Sequence, residues 1–113
     1  MKRDISLYLG DIVENIEKAT AFIAGHSFET FKEDQKSVYA VIRCMEIIGE
    51  AAKHIPEDIR LQRKSIPWRD MAGMRDKLTH GYATVELRIV WTTIQEEIPL
   101  LGPQVGSVRD ELD

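Results

Sequence analysis

Arg75, His80 and Tyr82 are the side chains in this sequence whose types and spacing best suit chemistry. They fall in one short run, Arg75-Asp76-Lys77-Leu78-Thr79-His80-Gly81-Tyr82. Arg offers a rigid guanidinium fork that fits phosphate oxygens. His exchanges a proton near neutral pH, and Tyr adds a hydroxyl and a stacking face. Together these are the types a protein uses to handle phosphoesters without a metal. Residues five apart on a helix point about 140° away from each other, so Arg75 and His80 cannot both lie flat on one exposed face. Either the helix ends at His80, which Gly81 favours as a left-handed stop, or the two side chains converge on a groove shared with another helix or subunit. A purely structural arrangement uses the same residues: Arg75 pairs with an acid such as Glu46 or Glu50, and His80 sits at the negative end of a helix dipole.

Other candidates are weaker. The sequence has no phosphate-cradling Gly loop, no paired-Cys metal site and no His-Glu-x-x-His helix. The three His are far apart with no ligand cluster around any of them, so no metal is expected. His26 follows Gly25 and His54 precedes Pro56, which suits surface or cap positions. Cys44 lies in an apolar helical run and reads as a packing residue. Arg43, Glu46 and Glu50 stand at helical spacing within an apolar stripe, where charge is costly unless paired. They are expected to form structural ion pairs that position Arg75 or seal a dimer. Trp68 and Trp91 read as core or interface anchors.

The elements that must position these residues are helical. Ile5, Tyr8, Leu9, Ile12, Ile16, Ala19 and Ile23 recur at three- and four-residue steps, with Asp4 as a possible cap and Gly25 as a stop. Ser27 and Asp34 are further capping candidates. A second stripe from Gln35 to about His54 carries Val38, Val41, Ile42, Met45, Ile48 and Ala52, and Pro56 ends it. Glu57 to Arg63 suits a short helix. Ser65-Ile66-Pro67-Trp68 starts another that runs to Thr79 or His80. Thr84 can cap a last helix carrying Val85, Leu87, Val90, Trp91, Ile94 and Ile98. Pro99, Gly102, Pro103 and Gly106 leave the last fifteen residues open between a kinked continuation, a short helix and a tail frayed over about 103–113. Strand-like alternation, repeats and linkers are absent from the sequence. The expected fold is all-α, an antiparallel four- to five-helix bundle in a single domain over residues 1–113.

Size and composition agree with that reading. The chain has 113 residues, 43% hydrophobic and 30% charged, which suits a folded globular domain and is too apolar for intrinsic disorder. A net charge of −4 argues against a bulk electrostatic coat for nucleic acid. The charge is uneven, however: residues 53–77 carry seven basic and four acidic side chains, a basic island leading into the Arg75 run. A lone Cys suits a reducing compartment. Charges every few residues from Met1 onward do not suit a signal peptide, and no apolar run approaches the roughly 20 residues that span a bilayer. A cytoplasmic protein with no membrane partner is the expectation.

The Arg-x-x-x-x-His-x-Tyr arrangement at Arg75, His80 and Tyr82 resembles the signature of the HEPN domains of the HepT-like (DUF86) group. These are helical toxin ribonucleases paired with minimal nucleotidyltransferase (MNT) antitoxins. The run Ala40 to Ala52 resembles the group's second-helix block, Ile66 to Arg75 resembles the approach to its motif, and Trp91 followed by Pro99 fits the next helix. The likeness extends from about Asp4 to Leu101. Asp76 departs from the Asn often found after the motif Arg, and sets a negative charge beside Arg75 that either orients the guanidinium or competes with phosphate for it.

The resemblance implies a homodimeric HEPN-like bundle with two motifs facing each other across a cleft. It also implies metal-independent RNA cleavage by attack of a 2′-hydroxyl on the adjacent phosphate, with no cofactor. Arg75 and His80 would be the catalytic pair, with Asp76, Lys77 and Tyr82 positioning RNA or supporting that pair. Tyr82 would also be the site at which the partner nucleotidyltransferase adds AMP. The basic residues of 53–77 would hold the RNA backbone. The competing expectation is a non-catalytic helical dimer that binds a nucleotidyltransferase partner or its nucleotide, which the acidic net charge favours.

Overall fold

In a computed structural model of the chain, residues 2–74, 76 and 86–112 are described. They are helical, with no strand among them. Helix α1 spans Lys2–Ile23. The apolar positions read from its sequence form the buried stripe Leu9, Ile12, Ile16, Ala19 and Ile23. Asp4 lies in its first turn rather than at a cap. Gly25 follows the helix at φ 83°, the left-handed conformation expected of a stop.

A short helix α2, Phe28–Glu33, separates α1 from α3, Gln35–Lys53. The sequence stripe did not reveal α2, because six residues carry too few apolar positions to show a period. Its ends are legible all the same. Ser27 and Thr30 form a reciprocal capping box, and Asp34 caps α3 by accepting from the Ser37 N–H. The long helix α3 buries Val41, Cys44, Met45, Ile48, Ala51 and Ala52 and lies against α1.

Two short helices follow, α4 at Glu57–Gln62 and α5 at Trp68–Ala72. Pro67 sits one place before the expected first helical position, as the residue preceding α5. Trp68 and Met71 drive α5 against α3, and the indole N–H of Trp68 donates to the Arg63 carbonyl at 3.2 Å.

The final rod comprises α6, Leu87–Thr92, a π-helical turn, Thr93–Glu97, and α7, Ile98–Leu112. Within the π turn the Ile98 N–H reaches back to the Thr93 carbonyl. This wide turn directly precedes Pro99, whose missing N–H would leave an α-helical carbonyl without a donor. The buried Thr93 hydroxyl donates to the Ile89 carbonyl at 2.8 Å. Of the alternatives open for the last segment, the chain adopts the helical continuation through Leu112. A frayed tail is excluded up to that residue because Leu101, Val105 and Val108 are buried in the core with α1.

Candidate functional site

The candidate site residues Arg75, Lys77, His80 and Tyr82, with the expected Gly81 stop and Thr84 cap, lie outside the described residues. What the structure describes is the frame on either side of them. On the near side, α5 is pinned by Trp68, Met71 and Met74, all buried. Asp76 is exposed, and its N–H donates to the Gly73 carbonyl at 3.0 Å. On the far side the chain becomes describable at Glu86, which precedes α6.

The basic island divides by role. The Arg60 guanidinium donates to the carbonyls of Ile55 at 2.9 Å, Ala52 at 3.1 Å and Lys53 at 3.3 Å, closing the C-terminus of α3. Positive charge there also meets the negative end of the helix dipole. Arg63 forms an ion pair with Glu111, tying the α4–α5 connection to α7. These two arginines are committed to the fold. Lys53, Lys64 and Arg69 are exposed. Lys64 and Arg69 line a shallow depression of about 340 Å³ with Arg60, Ile66, Pro67, Trp68 and Asp70, at the start of α5. Exposed cations such as Lys64 and Arg69 can hold phosphates without reading bases.

Arg43, Glu46 and Glu50 occupy the outer edge of α3 and not its apolar stripe. Arg43 Nη1 lies 3.7 Å from Glu46 Oε1, with the arginine side chain 72% exposed. Such a pair is worth roughly 0–1 kcal/mol. Glu50 Oε1 lies 3.6 Å from His54 Nε2, and the His54 ring stacks on Tyr8 with centroids 4.5 Å apart. These groups line a small cleft of about 170 Å³ between α1 and α3.

Of the surface and cap positions expected for His26, the structure gives it the cap position. Its Nδ1 is 3.0 Å from Thr30 Oγ1, and its Nε2 is 3.3 Å from Ser37 Oγ and 3.4 Å from Asp34 Oδ2. One ring thereby bridges the caps of α2 and α3. The Asp34 carboxyl is held below the ordinary carboxylate range, first by the Ser37 hydroxyl and N–H and then by the His26 charge. Burial pushes the Cys44 thiol up.

Among the described residues, no three His, Cys, Asp or Glu side chains converge to hold a metal ion. No described helix is long and apolar enough to cross a membrane.

A family model described as Ribonuclease HepT-like matches residues 12–108. The chain belongs to the HepT-like ribonuclease family. The match takes in α1 from Ile12 onward, both sides of the frame and the Arg75-to-Tyr82 run. The Thermococcus cleftensis protein named "Probable ribonuclease HepT" is 50% identical over 109 residues, covering 96% of this chain and 99% of that protein. A Methanocaldococcus jannaschii protein named "Putative RNase MJ1216" is 46% identical over 112 residues, covering 99% of this chain and 93% of its own length. A Caldanaerobacter subterraneus protein with a similar RNase name is 44% identical over 101 residues, covering 89% and 90%. No solved structure matches the chain.

One feature of the HepT-like frame escaped the sequence reading. Arg88, on the first turn of α6, sets its guanidinium carbon 3.7 Å from the centroid of the Phe28 ring on α2. Phe28 and Arg88 are separated by most of the chain, so no local spacing could signal the contact.

Proposed function

We propose that this chain is a metal-independent endoribonuclease, the toxin of a toxin–antitoxin pair, acting in the cytoplasm as a homodimer. The observation that carries this reading is that the HepT-like match includes Arg75, His80 and Tyr82, the residue types that phosphodiester cleavage needs. In the proposed reaction the 2′-oxygen of RNA bonds to the adjacent phosphorus and the bond from phosphorus to the 5′-oxygen breaks. The products are a 2′,3′-cyclic phosphate and a free 5′-hydroxyl. One His80 takes the 2′ proton, and the other, from the second protomer, returns a proton to the leaving oxygen. Arg75 compensates the charge that builds on the phosphorane-like transition state. Tyr82, Asp76 and Lys77 position the strand, and the exposed cations Lys53, Lys64 and Arg69 hold its backbone.

The partner in this reading is an MNT-type nucleotidyltransferase antitoxin. It silences the toxin when the Tyr82 oxygen attacks the α-phosphorus of ATP and pyrophosphate leaves, placing a bulky anion where RNA must sit.

The decisive experiment is His80→Ala assayed on RNA alongside its circular dichroism. Loss of a proton-transfer group costs roughly 10²–10⁴-fold in rate, while the helical spectrum stays unchanged. Undiminished cleavage by that variant would remove the mechanism. The net charge of −4 favours one other reading, a dimer that presents Arg75 and Tyr82 to a nucleotidyltransferase without turnover of its own. Pure, unmodified protein that leaves both structured and unstructured RNA intact would select it.

A further inference from the structure

The contact between Arg88 and Phe28 is built more firmly than a surface cation usually is. Phe28 is half-buried and packs edge-on against Trp91, with centroids 6.3 Å apart. Trp91 in turn lies 5.3 Å from the fully buried Phe31. The ring therefore rests on the aromatic corner where α2 meets α6. Arg88 covers the ring at 3.7 Å, and Lys32 Nζ approaches the same ring at 5.7 Å. Arg88 is itself exposed.

We infer that Arg88, held on Phe28, is a stacking shelf for one unpaired base of the RNA substrate, with Lys32 beside it to meet the strand's phosphate. A guanidinium seated over an aromatic ring is already restrained, so stacking a second planar group on it costs less entropy than on a free arginine. Arg planes and aromatic rings are the surfaces on which single-stranded bases stack. The base must be unpaired, because a duplex already uses both of its faces. Arg88 stands six residues beyond Tyr82, and six residues of even fully extended chain reach no further than about 20–22 Å. That bound leaves the shelf within the span of a strand several nucleotides long engaged at the motif. The assignment rests on the ribonuclease reading and deepens it: the substrate carries an unpaired base within reach of the cut, and Arg88 is a positioning residue for it.

The test measures binding and cleavage separately in the full chain. The binding probes are a single-stranded oligoadenylate with every 2′-oxygen methylated, which cannot be cut, and the same strand with each position made abasic in turn. Arg88→Ala is expected to weaken binding of the intact strand roughly 5- to 150-fold, the range for losing one stacked base. One abasic strand should show a similar loss with the unaltered protein, and little further loss with Arg88→Ala. Arg88→Lys keeps the charge but not the plane, and should bind nearly as weakly as Arg88→Ala. On cleavable RNA, Arg88→Ala should raise KM with kcat held, and its thermal melt should stay close to that of the unaltered chain. Equal binding by Arg88→Ala, full binding by Arg88→Lys, or the same loss on every abasic strand overturns the shelf. If the unaltered chain still cleaves RNA, the ribonuclease reading survives that result. An unaltered chain that neither binds nor cleaves RNA overturns both.

Discussion

His26 Nε2 lies 3.4 Å from Asp34 Oδ2, so a single imidazole joins the turn after α1 to the residue that starts α3. Asp34 accepts from the Ser37 hydroxyl at 2.8 Å and from the Ser37 N–H at 3.4 Å, and these bonds favour its ionised form. A carboxyl whose folded pKa is depressed contributes stability above its unfolded pKa and loses it as pH falls through the folded value. The window is therefore acid, below roughly pH 4. Asp34→Asn is expected to flatten the fall in melting temperature across that window relative to the unaltered chain. Thermal melts at stepped pH check this, and an unchanged acid limb would show that the Asp34 charge plays no part.

Arg60 and Arg69 belong to the same basic island, yet they should fail in opposite ways. Arg60→Ala removes the side-chain donor from the carbonyls of Ile55, Ala52 and Lys53, of which Ala52 keeps the Ile55 N–H, and should cost about 1–3 kcal/mol of folding stability. Arg69→Ala removes an exposed cation, so the fold should be untouched while RNA affinity drops uniformly across sequences. The slope of log affinity against log salt should also become shallower by about 1. Urea unfolding of one variant and salt-titrated binding of the other separate the two roles.

Much of the fold was written in local spacing. The stripe from Leu9 to Ile23 and that from Val41 to Ala52 are the buried faces of α1 and α3, and Gly25, Ser27 and Asp34 mark their ends as the turn and cap chemistry requires. What spacing could not show depends on distant pairs or on backbone bonding. Arg60 reads as one more cation of a basic run until α3 ends beneath it. The charges at Arg43, Glu46 and Glu50 read as interior because their spacing matches the stripe, but a slight rotation about the helix axis puts them at its solvent edge. The π turn before Pro99 has no spacing signature at all. For the candidate site, Arg75, His80 and Tyr82 stand out by type and spacing as suited to phosphoester chemistry, and they lie outside the described residues. The Arg88–Phe28 contact has no such signal, since α2 and α6 meet only in the folded chain.

Gly25 gives the cleanest backbone test. A Cβ built there meets nothing within 4 Å, so Gly25→Ala introduces no clash with a neighbour, and its whole effect is the strain of φ 83°. A non-glycine residue in that region costs about 1–2 kcal/mol. Gly25→Asn, which tolerates the left-handed conformation better, should recover part of the loss. Denaturant unfolding of both variants measures the difference; equal stabilities for Ala and Asn would point to a cost unrelated to φ.

Cys44 should be chemically silent in the folded chain. It is 3% exposed, and burial favours the neutral thiol over the reactive thiolate. A thiol reagent at neutral pH should label it only as fast as the structure opens, and at once after denaturation. Labelling of the native chain at the rate of a free thiol would show that α1 and α3 separate readily in solution.

Chelation tests the chemistry itself. In the proposed reaction the charge of the transition state is met by Arg75 and the protons are moved by His80, so no step calls for a cation beyond the protein. Prolonged dialysis against EDTA, with the assay run in the chelator, should leave the cleavage rate within about twofold, whereas loss of a metal that generates the nucleophile or polarises phosphorus removes several kcal/mol of stabilisation. RNA itself binds magnesium, so the comparison needs a short unstructured strand whose shape does not depend on the ion. Loss of cleavage there, restored by Mg²⁺ or Mn²⁺, would replace the Arg75–His80 mechanism with a metal-assisted one. Retained cleavage that ends in a 2′,3′-cyclic phosphate would identify the 2′-oxygen as the attacking group.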